Sequence, residues 1–119
     1  MKRKINITMA SLTEGVLLLQ TNESFSGLLP LEQILVDSEQ FSFIYLMEDK
    51  IDYTYIVIPE NIWPSLREAI EVKSSVILFF KEERQELKNF LGELEDILNN
   101  IRGNSNYGEE MLAKVEKIF

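Results

Sequence analysis

Near the start of the chain the apolar positions alternate. Ile5, Ile7 and Met9 are separated by Lys4, Asn6 and Thr8, the two-residue period of a strand with one face against a core. Thr13-Glu14-Gly15 supplies a turn, and VLLLQ (16–20) reads as the second strand of a hairpin. TNESFSG is polar and reads as a loop. Pro30 suits a first helical turn, so a short helix is predicted over LEQIL (31–35). FSFIYLM (41–47) and YTYIVI (53–58) are rich in aromatic and β-branched residues. They are the strongest strand signals in the chain, and EDKID between them makes a second hairpin.

Pro59 stops the last of these strands. Asn61 is placed to cap a helix over IWPSLREAIEV, whose regular part follows Pro64. VILFF (76–80) reads as a buried strand, KEER as a turn, and Gln85-Glu86-Leu87 as a little more strand. From Leu87 the period changes. Leu87, Phe90, Leu91, Leu94, Ile97, Leu98 and Ile101 recur every three or four residues and form one helical stripe. A final helix carries Met111, Leu112, Val115 and Ile118 on one side, with Lys114 and Lys117 toward its negative end. The predicted order is ββ(α)ββαβαα. It describes an α+β fold with a largely antiparallel sheet of about five strands and the two C-terminal helices packed on one face.

Composition narrows the function more than the fold. The 119 residues suit a single domain spanning 1–119, since no linker, repeat or low-complexity tract divides them. Twelve basic and 20 acidic residues give a net charge of -8. An acidic surface is a poor match for nucleic acid or an anionic membrane, which draw affinity from Lys and Arg. The one basic cluster is the short Lys2-Arg3-Lys4. With no Cys and no His, thiol nucleophiles, Cys/His zinc sites and the Ser-His-Asp triad are excluded. The apolar runs are far shorter than the roughly 20 residues that span a bilayer. A cytoplasmic protein without cofactor or metal is expected, and not an enzyme.

Three features carry candidate chemistry. In GNSNYGEE (103–110) the glycines have P-loop spacing, but Glu109 and Glu110 stand where Lys-Ser/Thr should meet phosphate. A structural reading fits more residues: Gly103 in the left-handed conformation ends a helix, and Asn106 caps the next with Glu109 as capping-box partner. Tyr107, with Asn104 and Asn106, either braces that corner or presents it to a partner. The aromatic hairpin is the second feature. If Tyr45 pairs with Tyr55, one sheet face is aromatic, and Tyr45, Tyr53 and Tyr55 become candidate contact residues for another protein or a second copy. The third is the supply of carboxylates around 82–96, which reads as solvated helix faces.

LVDS (35–38) and NIRGNSNYGEEM (100–111) resemble the signatures of a small family of Firmicutes, the YjbL-like proteins. The likeness extends over most of the chain: acidic, about this length, with an aromatic strand after LVDS. It implies a cytoplasmic bacterial protein and brings no assigned catalytic residues. It draws notice to Asp37 and Ser38, which otherwise read as a turn or cap. Two functions follow as expectations. One is a protein–protein interaction or regulatory module that can form a homodimer. The other is a small-ligand or catalytic site where the Asp37-Ser38 and Asn104-Tyr107 loops converge.

Overall fold

The structure is a computed structural model that describes residues 3–119, the Ser105 side chain excepted; Lys2 of the basic triplet lies outside the described residues. Among these residues the strands are β1 (Arg3–Thr13), β2 (Val16–Thr21), β3 (Leu29–Asp37), β4 (Ser42–Glu48), β5 (Tyr53–Pro59), β6 (Ser75–Phe80) and β7 (Glu83–Glu86). The helices are α1 (Trp63–Val72), α2 (Phe90–Arg102) and α3 (Glu109–Ile118), with short 3-10 turns at Glu60–Ile62 and Ser105–Tyr107.

All seven strands form one curled sheet in the order β3-β4-β5-β1-β2-β6-β7. The expected sheet of about five largely antiparallel strands is therefore too small and too uniform. The β1–β5 and β2–β6 pairs are parallel, and the other four neighbouring pairs are antiparallel. Alternation in a sequence marks a strand but not the direction of its neighbour, which is why the mixed order was illegible. β1 ties the halves together. Its first residues pair with β5 and its later ones with β2, across a bulge between Ile7 and Met9. The extra residue of a bulge reverses the alternation. Ile5 and Ile7 are buried, whereas Met9, grouped with them by simple periodicity, is exposed.

LEQIL is strand, not helix. β4 is buried from Ser42 to Met47, so its backbone groups require a ladder on both sides. β3 supplies one of them, and that demand overrides the helical leaning of the segment. Pro30 and a register shift between Pro30 and Ile34 accommodate the irregularity, with Glu32 at φ 56°.

All three helices feed one core. Trp63, Leu66 and Ala69 of α1, Phe90, Leu94, Leu98 and Ile101 of α2, and Met111 and Val115 of α3 pack with Ile5, Ile34, Phe43, Tyr45 and Ile56 of the sheet. Trp63 lies 4.8 Å from Phe43 between ring centroids, and Phe119 closes on both at 6.0 and 6.2 Å. The Cα envelope measures 38 × 37 × 21 Å. The short axis has room for one sheet and one helix layer, which pack about 10 Å apart.

The helix ends differ from expectation in detail. α1 starts after a 3-10 turn with Ile62 at its N-cap and no side-chain cap, so Asn61 does not serve. Pro64 sits in the first turn of α1, where its missing N–H costs nothing. Gly103 closes α2 at φ -98°, not left-handed. The glycine that needs its freedom is Gly108, at φ 92° and ψ 146° before α3. It takes the N-cap position itself, so the Asn106–Glu109 capping box does not form.

Candidate functional site

The helices cover only one face of the sheet. Residues directly opposite in a ladder share a face, so the pairings define rows across the uncovered side. Leu35, Ile44, Val57 and Asn6 form one row, Leu46, Tyr55 and Lys4 the next, and Leu29, Glu48 and Tyr53 a third. Beyond the bulge, Met9, Gln20, Phe79 and Arg84 form a row beside Ser11, Leu18, Ile77 and Glu86. Among the described residues no helix lies over these rows, because all three helices join the core on the opposite face.

This face is unusually apolar for one without a second layer. An antiparallel sheet with one solvated side alternates apolar with polar residues. β4 instead places Phe43, Tyr45 and Met47 inside and Ile44 and Leu46 outside, and all five are buried. In the ladders Ile44 is flanked by Leu35 and Val57, and Leu46 by Tyr55. Toward one end the surface opens: Tyr53 is 48%, Leu29 65% and Ile51 93% exposed. The β4–β5 turn that carries Ile51 is a defined structure. The Asp49 carboxylate accepts hydrogen bonds from the N–H groups of Asp52 (2.9 Å) and Ile51 (2.8 Å). Those bonds, Asp52's first, hold its carboxyl below the ordinary range.

The register separates the tyrosines. Tyr45 pairs with Ile56, and Tyr55 with Leu46, one residue away from the Tyr45–Tyr55 register that would gather the aromatics. A slip of one position moves a side chain to the other face. Tyr45 is thus a core residue: it is fully buried, lies 5.7 Å from the Phe90 ring, and donates its hydroxyl to the Lys88 carbonyl at 2.8 Å. Burial pushes its pKa up to about 12. It is unavailable to a partner. Tyr53 and Tyr55 stand on the uncovered face.

Asp37 and Ser38 lie at the β3–β4 turn, where the Asp37 carboxylate accepts from the N–H groups of Glu39 and Gln40, each at 3.1 Å. Asn104 makes a similar turn, its side-chain oxygen accepting from the Asn106 N–H at 2.8 Å. Tyr107 is half-buried against the core, and Asn106 is exposed. Both loops thus use their polar groups to shape themselves. The clefts that contain Arg67, Ser74, Phe25, Met9 and Pro64 are lined by other residues than Asp37, Ser38, Asn104, Asn106 and Tyr107.

One cleft, of about 320 Å³, lies between α1 and α2 and holds Arg67 and Arg102 with Glu71 and Glu95. Its charges are matched, with Arg67 on Glu71 at 3.1 Å. A smaller one, about 170 Å³, runs from Ser74 to the start of α2. The Ser74 hydroxyl is buried without a hydrogen-bond partner among the described residues. No group of three or more Asp or Glu among the described residues is placed to hold a metal ion. None of the described helices is long and apolar enough to cross a membrane.

The fold and face define a small two-layer α+β protein, one sheet face under helices and the other partly apolar with no described helix over it. The chain belongs to UPF0738, a family of unknown function, whose match covers residues 5–119. It is 39% identical to the UPF0738 protein YjbL of Bacillus subtilis over 121 residues, covering 100% of this chain and 99% of that one. A UPF0738 protein of Bacillus velezensis is also 39% identical with the same coverage. One of Bacillus cytotoxicus is 33% identical over 122 residues, again covering 100% and 99%. The family resemblance read from the sequence is thereby established. No solved structure matches the chain.

Sequence reasoning missed Leu29, Leu35, Ile51, Val57 and Phe79 as surface candidates. The one available signal was the run FIYLM, apolar at successive positions, which is how a strand buried on both faces reads.

Proposed function

We propose that this protein is an interaction module that works through the uncovered face of its sheet rather than through catalysis. The observation that carries the reading is the double-sided apolarity of β4, whose outer residues Ile44 and Leu46 sit in a continuous apolar array with no helix over it. Contiguous apolar surface of this kind marks a protein contact site when it exceeds a few hundred Å². Polar positions punctuate the array, with Lys4 and Asn6 on the central strand β1 and Glu48 toward the β4–β5 turn. We place the module in the cytoplasm, where a chain without cysteine is at ease in a reducing setting.

The test is site-specific photo-crosslinking in a Bacillus host. A photoreactive residue replaces Tyr55 or Val57 on the open face, with the exposed Glu68 of α1 as control. Protein adducts are expected at 55 and 57, in the cytoplasmic fraction. Adducts no stronger at those positions than at 68 would remove the open face from consideration.

A further inference from the structure

Resting on that reading, we propose that the occupant of the open face is a second copy of this chain. The contact would be isologous and would build four layers in the order helix, sheet, sheet, helix.

Charge favours a copy over another partner. The chain carries -8, yet the paired positions of the outer rows hold Lys4 and Arg84 against Glu48 and Glu86. With Asp37, which pairs with Ser42 at the edge of the same face, these rows come close to neutrality, one charge on the acidic side. The excess acid lies elsewhere, including Glu68, Glu71, Glu95 and Asp96 on the helices. Two like-charged copies repel except where the approaching surfaces are neutral. A partner selected for positive charge would be drawn to the helices instead.

Size agrees. Seven strands at about 4.8 Å spacing, with about five paired residues rising about 3.3 Å each, span roughly 550 Å², or about 1,100 Å² over two copies, just above the roughly 1,000 Å² that a biological interface clears. A standard interface buries about 800 Å² on each partner. Sheets stack face to face about 10 Å apart with side chains interleaved. A two-fold contact needs only that the one patch be self-complementary.

The edges are poorly suited to pairing, which leaves the face. β3 carries Pro30 and a register shift, with Glu32 at φ 56°, and both features blunt an edge. β7 has four residues. The Glu83 carboxylate at its start accepts from the Ser24 hydroxyl at 3.0 Å and the Phe25 N–H at 3.1 Å, drawing the β2–β3 connection against it.

Sedimentation velocity on the full chain tests the proposal, from about 1 µM to 1 mM protein and from about 50 to 500 mM salt. A particle of twice 13.9 kDa is expected, with association strengthening several-fold as salt screens the repulsion. Tyr55→Glu should weaken the dimer at least tenfold by placing a charge in its centre. Trp63 fluorescence reports whether that variant folds. If it does not, Tyr53→Glu at the more exposed position takes its place with the same expectation. Glu68→Lys on the far side should not weaken association. A monomer at every concentration, or a dimer that survives the face variants that fold, overturns the proposal. Should position 55 crosslink to other proteins but never to a second copy, self-association fails while the interaction module stands.

Discussion

Tyr45→Glu and Tyr55→Glu look equivalent in the sequence, each placing a carboxylate in the aromatic hairpin. The register makes them opposites. Tyr45 is fully buried on Phe90, with its hydroxyl on the Lys88 carbonyl at 2.8 Å. Losing a large buried aromatic costs about 3–5 kcal/mol. The lost hydrogen bond adds about 1 kcal/mol, and the carboxylate must be buried or the site opened. The sum, at least about 5 kcal/mol, is most of the roughly 5–15 kcal/mol that holds a domain folded. Tyr55 is half-buried on the open face opposite Leu46, so Glu there should cost the monomer about 1 kcal/mol. Urea unfolding followed by Trp63 fluorescence measures both. Trp63 is the chain's one tryptophan, fully buried against Phe43, so unfolding changes its surroundings completely. Tyr45→Glu should be largely unfolded without urea and Tyr55→Glu cooperative. Equal losses in the two variants would refute the β4–β5 register and everything built on the identity of its faces.

Three further outcomes are expected. Tyr45 titrates at about 12 in the fold against about 10 unfolded; the fold favours its neutral form. The resulting stabilisation is complete below pH 10 and is lost as pH rises toward 12. It amounts to on the order of 2 kcal/mol. Tyr45→Phe should flatten that part of the pH–stability curve, and an unchanged slope between pH 10 and 12 would assign the loss to other groups. Gly92→Ala should stabilise by about 0.5–1 kcal/mol through helix propensity. The new Cβ would meet the Asn89 side-chain oxygen at 2.6 Å, but Asn89 is exposed and free to turn aside; a lower thermal midpoint would mean that it is not. Ser74→Ala should be neutral or stabilising by up to about 1 kcal/mol, because the buried hydroxyl has no partner. A clear loss of stability would show that Ser74 is bonded in solution.

The element types were legible where period and length agreed. Alternation at Ile5 and Ile7, the aromatic strands and the stripe of α2 each place a side chain every second or every third-to-fourth residue on a surface that must be buried. Where two structures fit the same residues, the sequence offered no decision. LEQIL is helical by local preference and became β3 because a doubly buried β4 required a second ladder. Met9 kept the strand period but left the core at a bulge that no residue announces. Gly103 and Gly108 are equally flexible on paper, and only the path of the chain put the demand on Gly108.

Composition alone removed Cys and His side-chain chemistry and set the net charge at -8. The apolar pattern by itself determined that this chain would build strands and helices around one core. Tertiary structure decided which side of each strand that core would claim. In FSFIYLM nearly every residue is apolar, so either face could have been the inner one. The outcome turned on a single step of register between β4 and β5. That step sent Tyr45 under the helices and left Ile44, Leu46 and Tyr55 on the open face. Pairing between distant strands is a property of two segments together, and no local pattern in either one contains it.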